Sequence, residues 1–245
     1  MEHLGEKDVV ESTERWMAEY ERGREVRIRQ FAAAMAEFER VQNEATKALG
    51  RAGWLGLERH FTDAQALEAL DIEQKKGDVA MNEAIAQYFN ADDCASLSEM
   101  TAAWSAIPYL RDREAIITDS LWAHRQGRFT LSVPALLPLA EGLSAEIVGN
   151  AVSNQNVVKA VARDWKLQTT EIWSEVFADV VEQIIYKRYD FTRDPAPFLS
   201  RHGILHGRVP DYGDNVNSLR LFLLVDAIAF LWLEKQHKTP FSAAP

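Results

Sequence analysis

Apolar residues recur at three- and four-residue spacing along most of this chain, and no convincing alternating run competes with that pattern. This property confines the fold to packed helices. From 8 to 49, Phe31, Met35, Phe38, Ala45 and Leu49 share a face while Glu, Arg and Gln fill the others. The pattern predicts one long amphipathic helix that packs on its own protein rather than on a coiled-coil partner. Gly50, Gly53 and Gly56 end it. Asp63 is expected to cap a short helix through Leu70, and further helices are expected over 78–89 and 96–107. Pro108 pushes its predecessor out of the helical region and marks a boundary. A helix over 110–126 follows, closed by Gly127.

Ser132-Val133-Pro134 then opens the next helix, with serine as cap and proline in the first turn. It runs through Glu141 to about Val148, bent or delayed by Pro138. Further helices are expected over 153–165 and from Thr169 or Thr170 to Tyr189, the latter apolar at Ile172, Trp173, Val176, Phe177, Val180, Ile184 and Ile185. Asp194-Pro195-Ala196-Pro197 interrupts the chain. A last helix over 215–236 is apolar nearly all round, so it belongs at the centre of the fold or in a subunit interface. Phe129–Val133 is the only short strand candidate, and its flanking proline weakens it. The expected fold is all-α: an N-terminal helical region over 1–108, a helical bundle over 109–238 and a short tail over 239–245.

Composition limits function. One cysteine in 245 residues excludes an internal disulfide framework and suits a reducing compartment. The first residues lack the apolar core of a signal peptide. The most apolar run, Leu219–Leu233, is broken by Arg220 and Asp226 and falls short of the roughly 20 residues a bilayer needs. A cytoplasmic protein without a membrane partner is expected. A net charge of −10 argues against bulk electrostatic binding of nucleic acid. The charge is uneven, however: residues 58–100 are strongly acidic, whereas Lys187–Arg208 sets five cations against Asp190 and Asp194.

No Gly-rich phosphate loop, His-Glu-x-x-His, Gly-x-Ser-x-Gly or cysteine cluster is present, which disfavours nucleotide-driven motors, metalloproteases, serine hydrolases and zinc ribbons. What stands out is Ser200-Arg201-His202-Gly203-Ile204-Leu205-His206-Gly207-Arg208, cationic and glycine-rich between apolar helices. It contains Arg-x4-His, from Arg201 to His206, late in an all-α chain.

This arrangement resembles the HEPN superfamily, helical bundles with Arg-x4–6-His near the end of the domain. The likeness to an uncharacterised bacterial HEPN-like family extends to Ala123-His124-Arg125-x-Gly127 and to Leu131-Ser132-Val133-Pro134 through Glu141-Gly142. It continues through Arg201-His202-x-Ile204-Leu205-His206-Gly207, Asp211-Tyr212-Gly213 and Asn217-Ser218-Leu219. The chain departs from the family's Asn-Arg-His by carrying Ser200. The resemblance covers roughly residues 109–236 and implies metal-independent RNA cleavage by 2′-hydroxyl attack, without a cofactor. His206 would move a proton near neutrality, and Arg201 would hold phosphate oxygens as charge builds. His202 can support either role, and Glu141 can orient an imidazole.

Arg193, Arg208, Tyr212 and Asn217 are candidate substrate contacts, although Tyr212 and Asn217 also suit a turn and a helix cap. Superfamily members often dimerise through this domain and share one cleft. On an ideal helix Arg201 and His206 point about 140° apart, so either the segment is irregular or a two-fold axis joins one copy's arginine to the other's histidine. The implied partners are RNA, a second copy, and an antitoxin or regulatory protein, in a toxin or phage-defence effector. Three other readings stand beside this one. Arg201 and His206 can simply terminate helices, with Gly207 as the stop. The chain can be a non-catalytic helical interaction module, or it can bind a nucleotide through Tyr212 or the basic island. His202 and His206 are spaced for a metal, but the sequence offers no compelling third ligand, so none is expected.

Overall fold

A computed structural model describes residues 6–148, 157–168, 172–187 and 197–238. Among these the chain is all-α. Its helices are α1 (Glu6–Arg51), α2 (Asp63–Lys76), α3 (Asp78–Ala103), α4 (Pro108–Arg111), α5 (Glu114–Arg125), α6 (Phe129–Val148), α7 (Val157–Gln168), α8 (Ile172–Val180), α9 (Arg201–Leu205) and α10 (Asn215–Lys238). Short 3-10 turns lie at Leu57–Arg59 and Trp104–Ala106, and α8 continues into a π turn, Val181–Ile185. The tail over 239–245, the starts of two expected helices at 153–156 and 169–171, Tyr189 and Asp194-Pro195-Ala196 lie outside the described residues, as does the side chain of Trp173.

Two compact units divide the chain, Met1–Glu44 and Ala45–Pro245. The first, as far as described, is a single helix. In it Arg40 bonds Glu37 and Glu44, one turn away on either side. The second unit is a bundle around one core. A boundary at Pro108 is therefore not observed: Trp54, Phe89, Leu97, Trp104 and Ile107 are buried in the same core as Leu136, Phe177 and Phe222.

The core forms around α10, whose residues 217–229 are buried without a break. It packs chiefly on α6 and also against α3. The central placement expected for this helix is observed. Its two charges, which seemed to interrupt the apolar run, are paired rather than exposed. Asp226 accepts from Trp104 Nε1 (2.9 Å), Arg59 Nε (3.1 Å) and His60 Nε2 (3.0 Å). Arg220 lies over the rings of Phe198 and Trp54 and donates to Asn217 and Asn82. Burial lowers its pKa to about 10. By length and apolar composition, α6 and residues Asn215–Gln236 of α10 can each cross a membrane, contrary to the shorter span read from sequence. Within the protein, however, 78% of the α10 window is buried.

Local chemistry corrects several helix boundaries. Thr62, not Asp63, caps α2, in a reciprocal pair with Gln65. Helix α3 absorbs both helices expected there but is interrupted by Asp92, Asp93 and Cys94, three successive residues at positive φ. Left-handed backbone costs about 1–2 kcal/mol per residue. Arg125 braces this turn, with Nε on the Asp93 carbonyl (3.1 Å) and Nη2 on Ser98 Oγ (2.6 Å).

Helix α6 begins at Phe129, so Phe129–Val133 is helix, not strand, and Ser132 does not cap it. Pro134 has no N–H for the carbonyl of Thr130, and Tyr212 Oη donates to that oxygen instead (3.3 Å). A partner from another element thus lets the helix pass through its own proline. Gly142 has no room for a side chain, because an added Cβ would lie 1.5 Å from Tyr109 Oη. A side chain there must displace the Tyr109 ring or move α4 away from α6.

Candidate functional site

Ser200 is buried and caps α9, its Oγ accepting from the Gly203 amide (3.1 Å). The departure from asparagine at this position leaves the cap intact. Helix α9 lasts five residues. Gly207 ends it at φ +66, with Gly207 N on the Ile204 carbonyl (3.1 Å) and Arg208 N on the Gly203 carbonyl (2.8 Å). Arg201 therefore stands at the first helical position and His206 at the C-cap, its N–H on the His202 carbonyl (3.2 Å), so the segment is regular helix up to His206 and the two residues stay on different faces of it. His202 and His206 are exposed, and their rings meet edge to face at 4.4 Å.

Arg201 is half-buried and forms a two-pronged pair with Glu141 of α6: Nε to Oε1 at 2.6 Å and Nη2 to Oε2 at 3.0 Å. The pair fixes the plane of the guanidinium and accounts for two of its five N–H groups. Glu141 was expected to orient an imidazole; in the structure it orients the arginine. The hydrogen bond to Glu141 raises the pKa of Arg201 further, so the cation persists at any working pH. Tyr186, at the end of the π turn, belongs to the same group. Burial drives its phenol well above the ordinary range, and the nearby Glu141 carboxylate adds to the effect. Sequence reading missed Tyr186, which follows Ile184 and Ile185 on an amphipathic helix and reads as one more core residue.

Arg208 is exposed, as a substrate contact must be. Tyr212 spends its hydroxyl on Thr130. Asn217 is buried, and its amide donates to the carbonyls of Phe198 and Tyr212 and to Asp214. It ties the 198–214 loop to the first turn of α10, which corrects its placement as a substrate contact. Arg193 lies outside the described residues. Among those residues, no group of three His, Cys, Asp or Glu side chains is placed to hold a metal ion.

The upstream motif residues serve a different purpose. His124 of α5 is 3% exposed and bonded on both ring nitrogens, Nδ1 to Ser218 Oγ (2.8 Å) and Nε2 to Asn90 Oδ1 (3.0 Å). Ser132 Oγ shares the Ser218 hydroxyl at 2.7 Å. Serine, histidine and asparagine thus form a chain resembling a hydrolase relay. It is sealed, with Ser132 and Ser218 wholly buried and the rings of Phe129 and Phe222 edge-on to the imidazole. The network joins α3, α5, α6 and α10.

Burial, aided by the Arg125 charge, lowers the His124 pKa to about 4. An unfolded histidine titrates near 6.5, so the unfolded chain binds the extra proton first as the pH falls. Stability should be complete above about pH 6.5 and should decline towards pH 4, by about 3 kcal/mol for this group. Urea midpoints for wild type and His124→Gln across that range test the point; parallel slopes would exclude His124 as the sensor.

A groove of about 490 Å³ lies between the second half of α3 and α4–α5, lined by Ser98, Thr101, Arg111, Trp122 and Arg125 among others. It contains none of the candidate site residues named from the sequence, and of the motif residues Arg125 lines it. Compared with protein-family models, with curated proteins and with solved structures, the chain matches none.

Proposed function

We propose that this chain is a HEPN-type, metal-independent endoribonuclease whose site is completed by a second copy through the α9 face. The observation that carries this reading is the grouping on one short exposed segment. Arg201 is held in a fixed plane by Glu141, His202 follows it directly, and the ring of His206 meets that of His202 from one turn on. Histidine supplies the proton transfer that 2′-hydroxyl attack requires, and a preoriented guanidinium supplies charge to the phosphate. Arg208 adds a second cation on the exposed side. A buried lone cysteine suits a cytoplasmic setting. A toxin or phage-defence effector, restrained by an antitoxin or regulatory protein, follows from the family resemblance alone.

Purified protein incubated with single-stranded and structured RNAs in EDTA should give 2′,3′-cyclic phosphate ends. Intact RNA under these conditions would end the proposal. A second reading, a non-catalytic interaction module on the same fold, draws on the closed Arg201–Glu141 pair, which already satisfies both charges. Induced expression separates the two. A nuclease should arrest growth and Arg201→Ala should relieve the arrest, whereas an interaction module gives no arrest that depends on Arg201.

A further inference from the structure

Tyr186 closes the π turn, its amide on the Val181 carbonyl at 2.9 Å. A regular α-helix would turn position 186 about 140° away from Val181. The five-residue bond of the π turn instead keeps both side chains on the buried side. The phenol carries a hydroxyl into the core with it, and Tyr186 Oη has no hydrogen-bond partner among the described residues. Tyr88 and Tyr212 place theirs on backbone carbonyls. Beside the Tyr186 phenol stands the Glu141 carboxylate, near enough to raise its pKa, although Oη lies outside hydrogen-bond geometry. A buried donor is costly to leave so, and phenylalanine would fill the same space without that cost.

We infer that Tyr186 is a positioning residue of the Arg201 site: as Arg201 takes up an RNA phosphate, the Glu141 carboxylate turns one oxygen from the guanidinium to Tyr186 Oη. The inference rests on the ribonuclease reading above. The two prongs of the Arg201–Glu141 pair are unequal, 2.6 Å at Nε and 3.0 Å at Nη2. Keeping the shorter prong holds the guanidinium in place, and releasing the longer one gives Nη2 a further N–H for the phosphate. The arginine itself need not move.

The Arg201 and Glu141 side chains are 30% and 25% exposed, so water reaches the pair only in part. A carboxylate oxygen released there needs a donor. The phenol supplies one at that point, in a hydrogen bond strengthened by the negative charge of its acceptor. Burial holds the phenol proton in place, so hydrogen bonds are exchanged and no proton is transferred. The exchange also resolves the difficulty of the closed pair. Fully engaged, Arg201 and Glu141 neutralise one another and offer a phosphate little net charge. Drawing one carboxylate oxygen to Tyr186 loosens that neutralisation as the phosphate arrives.

The test follows the Tyr186 hydroxyl by NMR in the full chain, labelled with carbon-13 at Cζ of its six tyrosines. The Tyr186 signal is the one that Tyr186→Phe removes, and hydrogen bonding to a carboxylate moves it downfield. Arg201→Ala frees both Glu141 oxygens and should produce that shift without RNA; adding Glu141→Gln should reduce it. An unmoved signal in Arg201→Ala overturns the inference and leaves the ribonuclease reading standing. Dye-labelled single-stranded RNA with 2′-O-methyl groups, which lacks the attacking hydroxyl, is then added to wild type, and binding is followed by anisotropy. Binding should bring the same downfield shift, and binding without it overturns the inference. Absence of binding removes the ribonuclease reading and this inference with it. Tyr186→Phe should raise the urea midpoint by deleting the unpaired hydroxyl, yet lower kcat/KM for RNA about tenfold, the worth of a hydrogen bond to a charged group. Cleavage by Tyr186→Phe at the wild-type rate would contradict the role, whatever the midpoint.

Discussion

Replacing His206 by alanine should lower RNA cleavage by about 10²–10⁴-fold, the range for loss of a general acid or base, while leaving the fold unchanged. His206 is exposed at the end of α9, so its ring contributes little to stability. Arg201→Ala should reduce cleavage as well, but it also abandons Glu141, a half-buried carboxylate left without its cation. The two variants therefore separate by readout. His206→Ala should lose activity at constant Tm, and Arg201→Ala should lose activity and some stability. Glu141→Gln keeps the shape of the pair and removes its charge, so it should shift substrate affinity more than the pH profile. A His206→Ala protein that cleaves RNA at the wild-type rate would remove this histidine from the chemistry.

The largest stability effect should come from Asp226→Ala. Burial alone would raise this carboxyl. The hydrogen bonds from His60 and Trp104 and the charge of Arg59 outweigh it and hold the pKa below its ordinary value. Removing the carboxylate strands an arginine, an imidazole and an indole N–H against the middle of α10. The expected loss is about 3–5 kcal/mol, the cost of breaking a buried pair from one side. Asp226→Asn should cost less, because an amide oxygen still accepts. The group's folded pKa is depressed, so its stabilisation is present above the carboxylate range and is lost as the pH falls through the folded value. Equal urea midpoints for wild type and Asp226→Ala would show that the network is incidental.

Much of the fold was legible in local pattern. The apolar spacing gave α1 and α10, and the glycines at 127 and 207 marked real helix ends. The errors arose where a distant residue decided the outcome. Ser132 has the local chemistry of a cap, but Ser218, on another helix, takes its hydroxyl. Pro134 should have started a helix, and Tyr212 lets the helix begin a turn earlier. Asp226 read as an interruption because its donors lie over a hundred residues upstream.

The candidate site divides in the same way. Arg201 and His206 were named from a short motif, and Glu141 from a resemblance. That Glu141 belongs to Arg201 rather than to a histidine depends on how α6 crosses α9, which no local pattern encodes. His124 drew attention as part of a motif and proved to be a core residue. A histidine among apolar neighbours is more often structural than catalytic, and here both ring nitrogens are bonded in the core.

The central proposal is a ribonuclease site assembled from two chains, and one mixing experiment addresses it directly. Arg201→Ala and His206→Ala proteins, each inactive alone, are unfolded together, refolded and assayed on RNA in EDTA. If each arginine serves the other copy's histidine, mixed pairs contain one complete site and a substantial fraction of wild-type activity returns. A mixture as inactive as either parent would contradict a composite site.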